Sequence, residues 1–419
     1  MNRRYFLKSG SIALAGFGLM SAAPEFLQQF AAAQTLNGAK GRKKILITIF
    51  QRGAVDGLNM VVPFGDGEYY NLRRNIAIRK PNETDGAIDL DGYFGLHPAM
   101  RPLEAFWRNK QLAVVHSSGS PDNTRSHFDA QDYMESGTPG NKGTRDGWLS
   151  RVLQTSAGKA DSAFRAVSLT QQTPRTLLGR YPTIAMTNLA DFSIKAGIYT
   201  KSVQGGFEDV YQQNANDALG ETGKETFEAV NYLRRANPAQ YKPENGAVYP
   251  NSQLGRSLLQ IAQLIKADVG LEVAFAESGG WDTHVNQGGA RGQLANLLRD
   301  FGGSVAALAT DLGKRIDDVV ILTMSEFGRT ARENGSRGTD HGHGNAMLVV
   351  GGAVKGGKVY GDWKGLKPGE LNEGRDLAVT TDFRDVFGEV AVRHLGNKNL
   401  DKIFPNYAAN ASKFRNFLG

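Results

Sequence analysis

Cysteine is absent from the 419-residue sequence. That excludes disulfides, thiolate metal sites and a cysteine nucleophile, and leaves His, Asp and Glu as the side chains able to ligate a metal. Long apolar runs are lacking too. The stretch SIALAGFGLMSAA near the N-terminus is too short for a stable membrane span, and the mature chain is expected to hold none. There is no basic run and no aromatic–basic motif. The net charge of +7 is therefore a mild excess that suits anionic substrates or surfaces, and nucleic acid is not an expected partner. A nucleotide fingerprint and a haem motif are also missing, which counts against a redox enzyme. No internal repeat or low-complexity tract is present.

What remains is ample for a large core: 40% of residues are hydrophobic, alongside 51 glycines. The N-terminus reads Asn2-Arg3-Arg4-Tyr5-Phe6-Leu7-Lys8, then the short apolar stretch, then Ala31-Ala32-Ala33 before Gln34. This resembles a twin-arginine export signal. Residues 1–33 are expected to be a signal peptide recognised by the twin-arginine translocation machinery, which would deliver the folded protein to the periplasm or the exterior.

The chain is organised around residues 318–350. VVILT reads as a buried strand, Ser325-Glu326 stand at its end, a polar loop follows, and AMLVVGG resumes the sheet. The loop ends in Thr339-Asp340-His341-Gly342-His343-Gly344. In open α/β sheets ligands bind beyond the carboxyl ends of the strands, so Glu326, Asp340, His341 and His343 are placed for chemistry. Similar groups follow other predicted strands. ILITIF runs into Gln51-Arg52-Gly53-Ala54-Val55-Asp56-Gly57, and LEVAFA into Gly280-Trp281-Asp282-Thr283-His284. Asp282 and His284 flank one residue, so an extended segment points both side chains the same way. After the strand QLAVVHS come Asp122, Asn123 and Thr124, good N-caps for a helix over 128–135. A hydroxyl there sits in a positive backbone field, making Thr124 and Ser126 nucleophile candidates and His127 a ligand or an acid–base group. Asp56 could equally be a turn residue, and Thr124 simply the cap.

Helices are expected at 98–107, 221–235, 252–267 and 293–312, and in 378–395 an amphipathic helix follows the caps Thr380-Thr381-Asp382; residues 66–95 read as an excursion from the sheet. Residues 43–419 are expected to form one α/β domain, with a helical insertion or cap at about 160–267. His97, His116 and His394 are expected to be structural.

Together RRYFLK, RGAVDGL, RSHFDAQDYMESG, GGWDTH, SEFGRT and TDHGHG resemble the bacterial domain-of-unknown-function family fifteen-oh-one, over nearly the whole mature chain. That resemblance implies a remote relationship to the alkaline phosphatase and sulfatase superfamily. The implied fold is a mostly parallel sheet with helices on both faces. The implied site is carried by Asp56, Asp282, His284, Glu326 and one or both of His341 and His343, holding one or two divalent metals (Zn, Mn, Mg or Ca). Ser126 or Thr124 would be the nucleophile, and Arg52, Arg125 or Arg329 would clamp an anion. Two departures stand out. Ser325-Glu326 replace the usual Asp-His, and the formylglycine motif of sulfatases is not recognisable. The expected activity is metal-dependent hydrolysis of phosphate, sulfate or related esters, on an anionic small molecule or glycan. The alternative is a non-catalytic descendant that binds an anionic glycan or an envelope partner.

Overall fold

A computed structural model describes residues 43–156, 162, 164–189 and 241–419. The expected signal peptide and the helix expected at 221–235 lie outside the described residues.

Strand β1 (Ile45–Gln51) is buried along its whole length. Successive side chains point to opposite faces of a strand, and here each face has its own core. Ile45, Ile47 and Ile49 enter one with Leu258, Leu298 and Phe301. Leu46 and Phe50 enter the other with Met134, Leu149 and Phe387. A strand covered on both faces reads as an unbroken apolar run, which is why ILITIF is so plain in the sequence.

The remaining strands of this sheet are β2 (Leu112–Gly119), β3 (Ala166–Ser168), β4 (Ile184–Ala185), β5 (Val273–Ser278), β6 (Val319–Met324), β7 (Asn345–Gly351), β8 (Lys358–Tyr360) and β9 (Thr381–Asp382). Their order is β8-β2-β7-β6-β1-β5-β3-β4, with β9 paired to β2. Every pairing is parallel except those of β7, which runs antiparallel to both β2 and β6. The fold is thus the expected mostly parallel sheet with helices on both faces.

On one face lie α3 (Gln253–Ala267) and α4 (Gln293–Leu312). The buried side of α4 carries Leu294, Leu298, Phe301, Val305, Leu308 and Leu312, the three- and four-residue spacing of a helix stripe. Ser252 caps α3 by accepting from the Gly255 N–H. The other face is covered by α1 (His127–Ser136), α2 (Trp148–Thr155) and α5 (Phe383–Glu389). Among the described residues no helix is long and apolar enough to cross a membrane.

The segment read as an insertion contributes β3 and β4 to the main sheet and α3 to its cover, because Val167, Leu258 and Ile261 are core residues of this sheet. The stretch expected at 66–95 as an excursion does lie off the main sheet: Val61–Val62, Gly95–Leu96 and Ile88–Asp89 form a separate three-stranded sheet.

Since β1, β2, β5 and β6 are mutually parallel, their carboxyl ends share one edge of the sheet. The antiparallel β7 starts at that edge. The loops after β1, β2, β5 and β6, and the loop before β7, therefore converge there.

Candidate metal centre

Three of these loops bring histidines together. His127, the first residue of α1, is supplied after β2, Asp282 and His284 after β5, and His341 just before β7. The Nε2 atoms of His127 and His284 each lie 3.0 Å from Nε2 of His341. Asp282 Oδ1 is 2.9 Å from Nε2 of His284, 3.2 Å from that of His341 and 3.4 Å from that of His127. The ligand atoms of His127, Asp282 and His341 all fall within 4.8 Å of one another. Phe327 packs under the rings of His127 and His341, with centroids 4.9 and 5.1 Å away. Side-chain exposure of 23% at His127, 26% at His341, 36% at His284 and 46% at Asp282 leaves the cluster open to solvent.

Each ring is anchored through its other nitrogen. His127 Nδ1 donates to Glu326 Oε1 at 2.8 Å, His284 Nδ1 to Asp340 Oδ1 at 3.0 Å, and His341 Nδ1 to the Arg125 carbonyl at 2.8 Å. A carbonyl or an ionised carboxylate can only accept, so all three Nδ1 atoms carry hydrogen and the three Nε2 lone pairs face one another. Lone pairs 3.0 Å apart repel unless positive charge lies between them. Either protons or a cation must supply it.

The ionisation of the surrounding groups agrees. The hydrogen bond that His127 donates to Glu326 raises the His127 pKa. Burial pushes Glu326 up, but the bonds from His127, Gln131 and Gly53 outweigh it and hold the carboxyl below its ordinary value. Burial acts the same way on Asp282, yet the Arg329 hydrogen bond and charge bring it down to about 2. Asp340 is lowered by the Asn334 hydrogen bond and then by His284. Burial lowers His341 and favours its neutral ring.

Arg329 holds this edge of the fold together. It is fully buried, and its N–H groups reach the carbonyls of Ala54, Gly53, Thr339 and Trp281 as well as Asp282 Oδ1. Gly53, at φ +112°, is needed here because a Cβ would sit 2.8 Å from the Asp282 nitrogen. Ala54 follows at φ +61°, a left-handed conformation that costs roughly 1–2 kcal/mol. Arg329 binds the carbonyls of both residues, which keeps the turn in place. These bonds engage all three guanidinium nitrogens of Arg329 within the fold.

The other two arginines are also committed. Arg52 donates to Glu277, Gln131 and Glu135 at 2.6, 3.0 and 2.9 Å. Arg125 pairs with Asp376 and Glu373 at 2.7 and 2.8 Å.

Asp56 stands apart from the cluster, contrary to the expectation of a metal ligand. Its Oδ2 accepts from Arg73 Nη1 and Gln287 Nε2, both at 2.6 Å, and its Oδ1 faces the Asn59 N–H. Both carboxylate oxygens are thus engaged by the protein. Gln287 relays this pair to the site, since its Oε1 accepts from Thr283 and Thr339 at 2.8 Å each. Glu326 lies behind His127, its Oε1 accepting from the His127 ring, the Gly53 N–H and Gln131 Nε2. His343 is buried, lies outside the cluster, and its ring is kept neutral by that burial. Ser126, exposed, is the N-cap of α1, accepting weakly from the Asp129 N–H. Thr124 lies two residues earlier and accepts from the Ser126 N–H, so the expected capping roles are exchanged.

Arg73, Gln287, Gln131 and Asn334 were not anticipated. Their importance comes from partners up to 258 positions away, and no local pattern signals that.

The donor set fits a metal. Ligands bound at 2.0–2.1 Å around a tetrahedral Zn²⁺ lie about 3.3 Å apart, close to the 3.0, 3.2 and 3.4 Å seen among His127, Asp282 and His341. Imidazole-rich sets suit Zn, Cu, Fe or Ni, while Mg and Ca require mostly oxygen. His284 completes a possible fourth position.

A family profile described as Protein of unknown function (DUF1501) matches residues 92–403. No curated protein matches significantly. Similar solved structures include the C-terminal periplasmic domain of EcEptC from Escherichia coli in complex with Zn, at 9% identity and TM-score 0.36, covering 74% of each chain. Another is the PsFucS1 sulfatase from Pseudoalteromonas sp., at 12% identity and TM-score 0.39, covering 87% of this chain and 70% of that one. A third is Ps i-CgsB in complex with k-i-k-neocarrahexaose, at 10% identity and TM-score 0.38, covering 85% and 73%.

Proposed function

The chain belongs to the DUF1501 family, and on that footing we propose that it is an exported hydrolase of phosphate, sulfate or related esters, working through one zinc-like ion held by His127, Asp282, His341 and His284. The observation that supports this best is the grouping of the Nδ1-anchored rings of His127 and His341 with Asp282 at a solvent-facing point, with the His284 ring against His341 and Asp282. A bound cation would supply the positive charge that the facing ring nitrogens need. Export is supported by Arg3 and Arg4 in their aromatic–leucine–lysine setting.

A divalent ion at this point supplies Lewis acidity, polarising an ester oxygen and easing deprotonation of an attacking hydroxyl. The chain's residues do the rest. Glu326, Asp340 and the Arg125 carbonyl fix the three ring orientations, an outer layer whose loss typically weakens metal binding. Arg329 holds Asp282 ionised. Ser126 stands at the N-terminus of α1, beside His127, as the candidate attacking hydroxyl, with water as the other.

The test is hydrolysis of aryl phosphate monoesters, phosphate diesters and sulfate esters by zinc-loaded and chelator-treated protein. Turnover of at least one class by the loaded protein, lost in His341→Ala, is the expected result. A protein that carries zinc and hydrolyses none of them contradicts the reading.

A further inference from the structure

His341 is held by two arginines, one at its ring and one at its backbone. Its Nδ1 donates to the Arg125 carbonyl at 2.8 Å, and its own carbonyl accepts from Arg375 Nη2 at 2.9 Å. Asp376 joins the two arginines. Its Oδ2 accepts from Arg125 Nη2 at 2.7 Å and Nε at 3.3 Å, and from Arg375 Nη1 at 3.1 Å. The backbone on either side of Asp376 is fixed as well. The Arg375 carbonyl accepts from the Ala331 N–H at 3.1 Å, and the Leu377 carbonyl from the Gly344 N–H at 2.9 Å. Both donors belong to the β6–β7 loop that carries His341.

This carboxylate is a poor device for stability. It is fully buried, yet its Oδ1 has no hydrogen-bond partner among the described residues, and a buried acceptor left unmatched is destabilising. Its two counter-charges keep contact with water, at 33% side-chain exposure for Arg125 and 41% for Arg375, so solvent weakens both pairs. Glu373 already gives Arg125 a surface partner without burying a carboxylate. What Asp376 does and Glu373 does not is accept from Arg125 and Arg375 at one oxygen.

We propose that Asp376 is a positioning residue of the metal centre. By holding Arg125 it steadies the carbonyl that sets the tautomer and direction of the His341 ring. By holding Arg375 it steadies the His341 backbone. It acts through the two arginines and not on the ion. This role rests on the metal-centre reading above.

The test compares the unaltered protein with Asp376→Ala, Asp376→Asn, Arg375→Ala and Glu373→Ala. Zinc affinity is read by competition with a chromogenic chelator, and ligand geometry by the visible spectrum of the cobalt-loaded form. Asp376→Ala should bind zinc about tenfold more weakly and shift the cobalt bands. Asp376→Asn, which keeps an acceptor oxygen, should lose less. Arg375→Ala, which removes the backbone tie alone, should also lose affinity. Glu373→Ala should match the unaltered protein in both readouts. A merely structural Asp376 predicts a lower Tm for metal-free Asp376→Ala, with zinc affinity and cobalt bands unchanged, and that result overturns the inference. An equal loss in Glu373→Ala overturns it too. Should Asp376→Ala not fold, unchanged affinity and bands in Asp376→Asn and Arg375→Ala have the same force. An unaltered protein that takes up no zinc overturns the metal centre and this inference with it.

Discussion

Glu326 Oε1 lies 2.8 Å from Nδ1 of His127, and the same oxygen accepts from the Gly53 N–H and Gln131 Nε2, each also at 2.8 Å. A fully buried carboxylate is tolerated because these donors satisfy it. The loop after β1, helix α1 and the loop after β6 are tied together at one oxygen atom. That oxygen fixes the tautomer and direction of a candidate ligand.

Glu326→Gln therefore tests the orienting role. An amide keeps the shape but offers His127 a weaker acceptor. Zinc affinity, measured by competition with a chromogenic chelator, should fall about 10–100-fold while the protein remains folded. An unchanged affinity would show that Glu326 does not act through His127.

The Asp56–Arg73 pair makes a different prediction, because both side chains are buried and 2.6 Å apart. Arg73→Met leaves a buried carboxylate without its counter-charge and should cost roughly 3–5 kcal/mol in urea unfolding. Replacing both, Arg73→Met with Asp56→Leu, should recover a large share of that loss. Were Asp56 instead a metal ligand, Arg73→Met would leave stability in excess zinc nearly unchanged.

Acid stability follows from three histidines away from the cluster. Burial lowers His97, His116 and His394 to about 4, and each ring donates from Nε2 to a carbonyl, of Gly289, Val61 and Ile45 respectively. The unfolded chain takes up a proton at each near pH 6.5. Between about pH 6.5 and 4 the unfolded state thus binds more protons, so the stability present above 6.5 is lost as pH falls. Melting followed from pH 7.5 to 4.5 in chelator should show a falling Tm, with a shallower slope in His116→Gln. A flat profile would mean that these rings are protonated in the fold.

The sheet was legible wherever burial makes a strand continuous. ILITIF, VVILT and AMLVVGG are core on both faces, and their apolar runs mark β1, β6 and β7 within a residue or two. A strand of two residues, such as β4, leaves no such trace. At the site, Asp282, His284 and His341 were legible because each stands just beyond or before a strong strand. His127 was seen as a ligand or an acid–base group. For Asp56 and the three arginines, what the sequence could not show is the partner, because a charge's partner is chosen by the fold. Asp56 follows a strand as a ligand would, yet Arg73 and Gln287 reach it first. Arg329 looks like an anion clamp until the carbonyls of Gly53, Ala54, Trp281 and Thr339 take its donors.

The metal centre is tested most directly by elemental analysis of protein purified after export, alongside Asp282→Ala and His341→Ala. The account predicts about one equivalent of zinc or a similar ion in the unaltered protein, and near-complete loss in both variants with the fold retained by circular dichroism. Metal-free protein that gains no stability from added zinc, or equal metal in all three proteins, would contradict it.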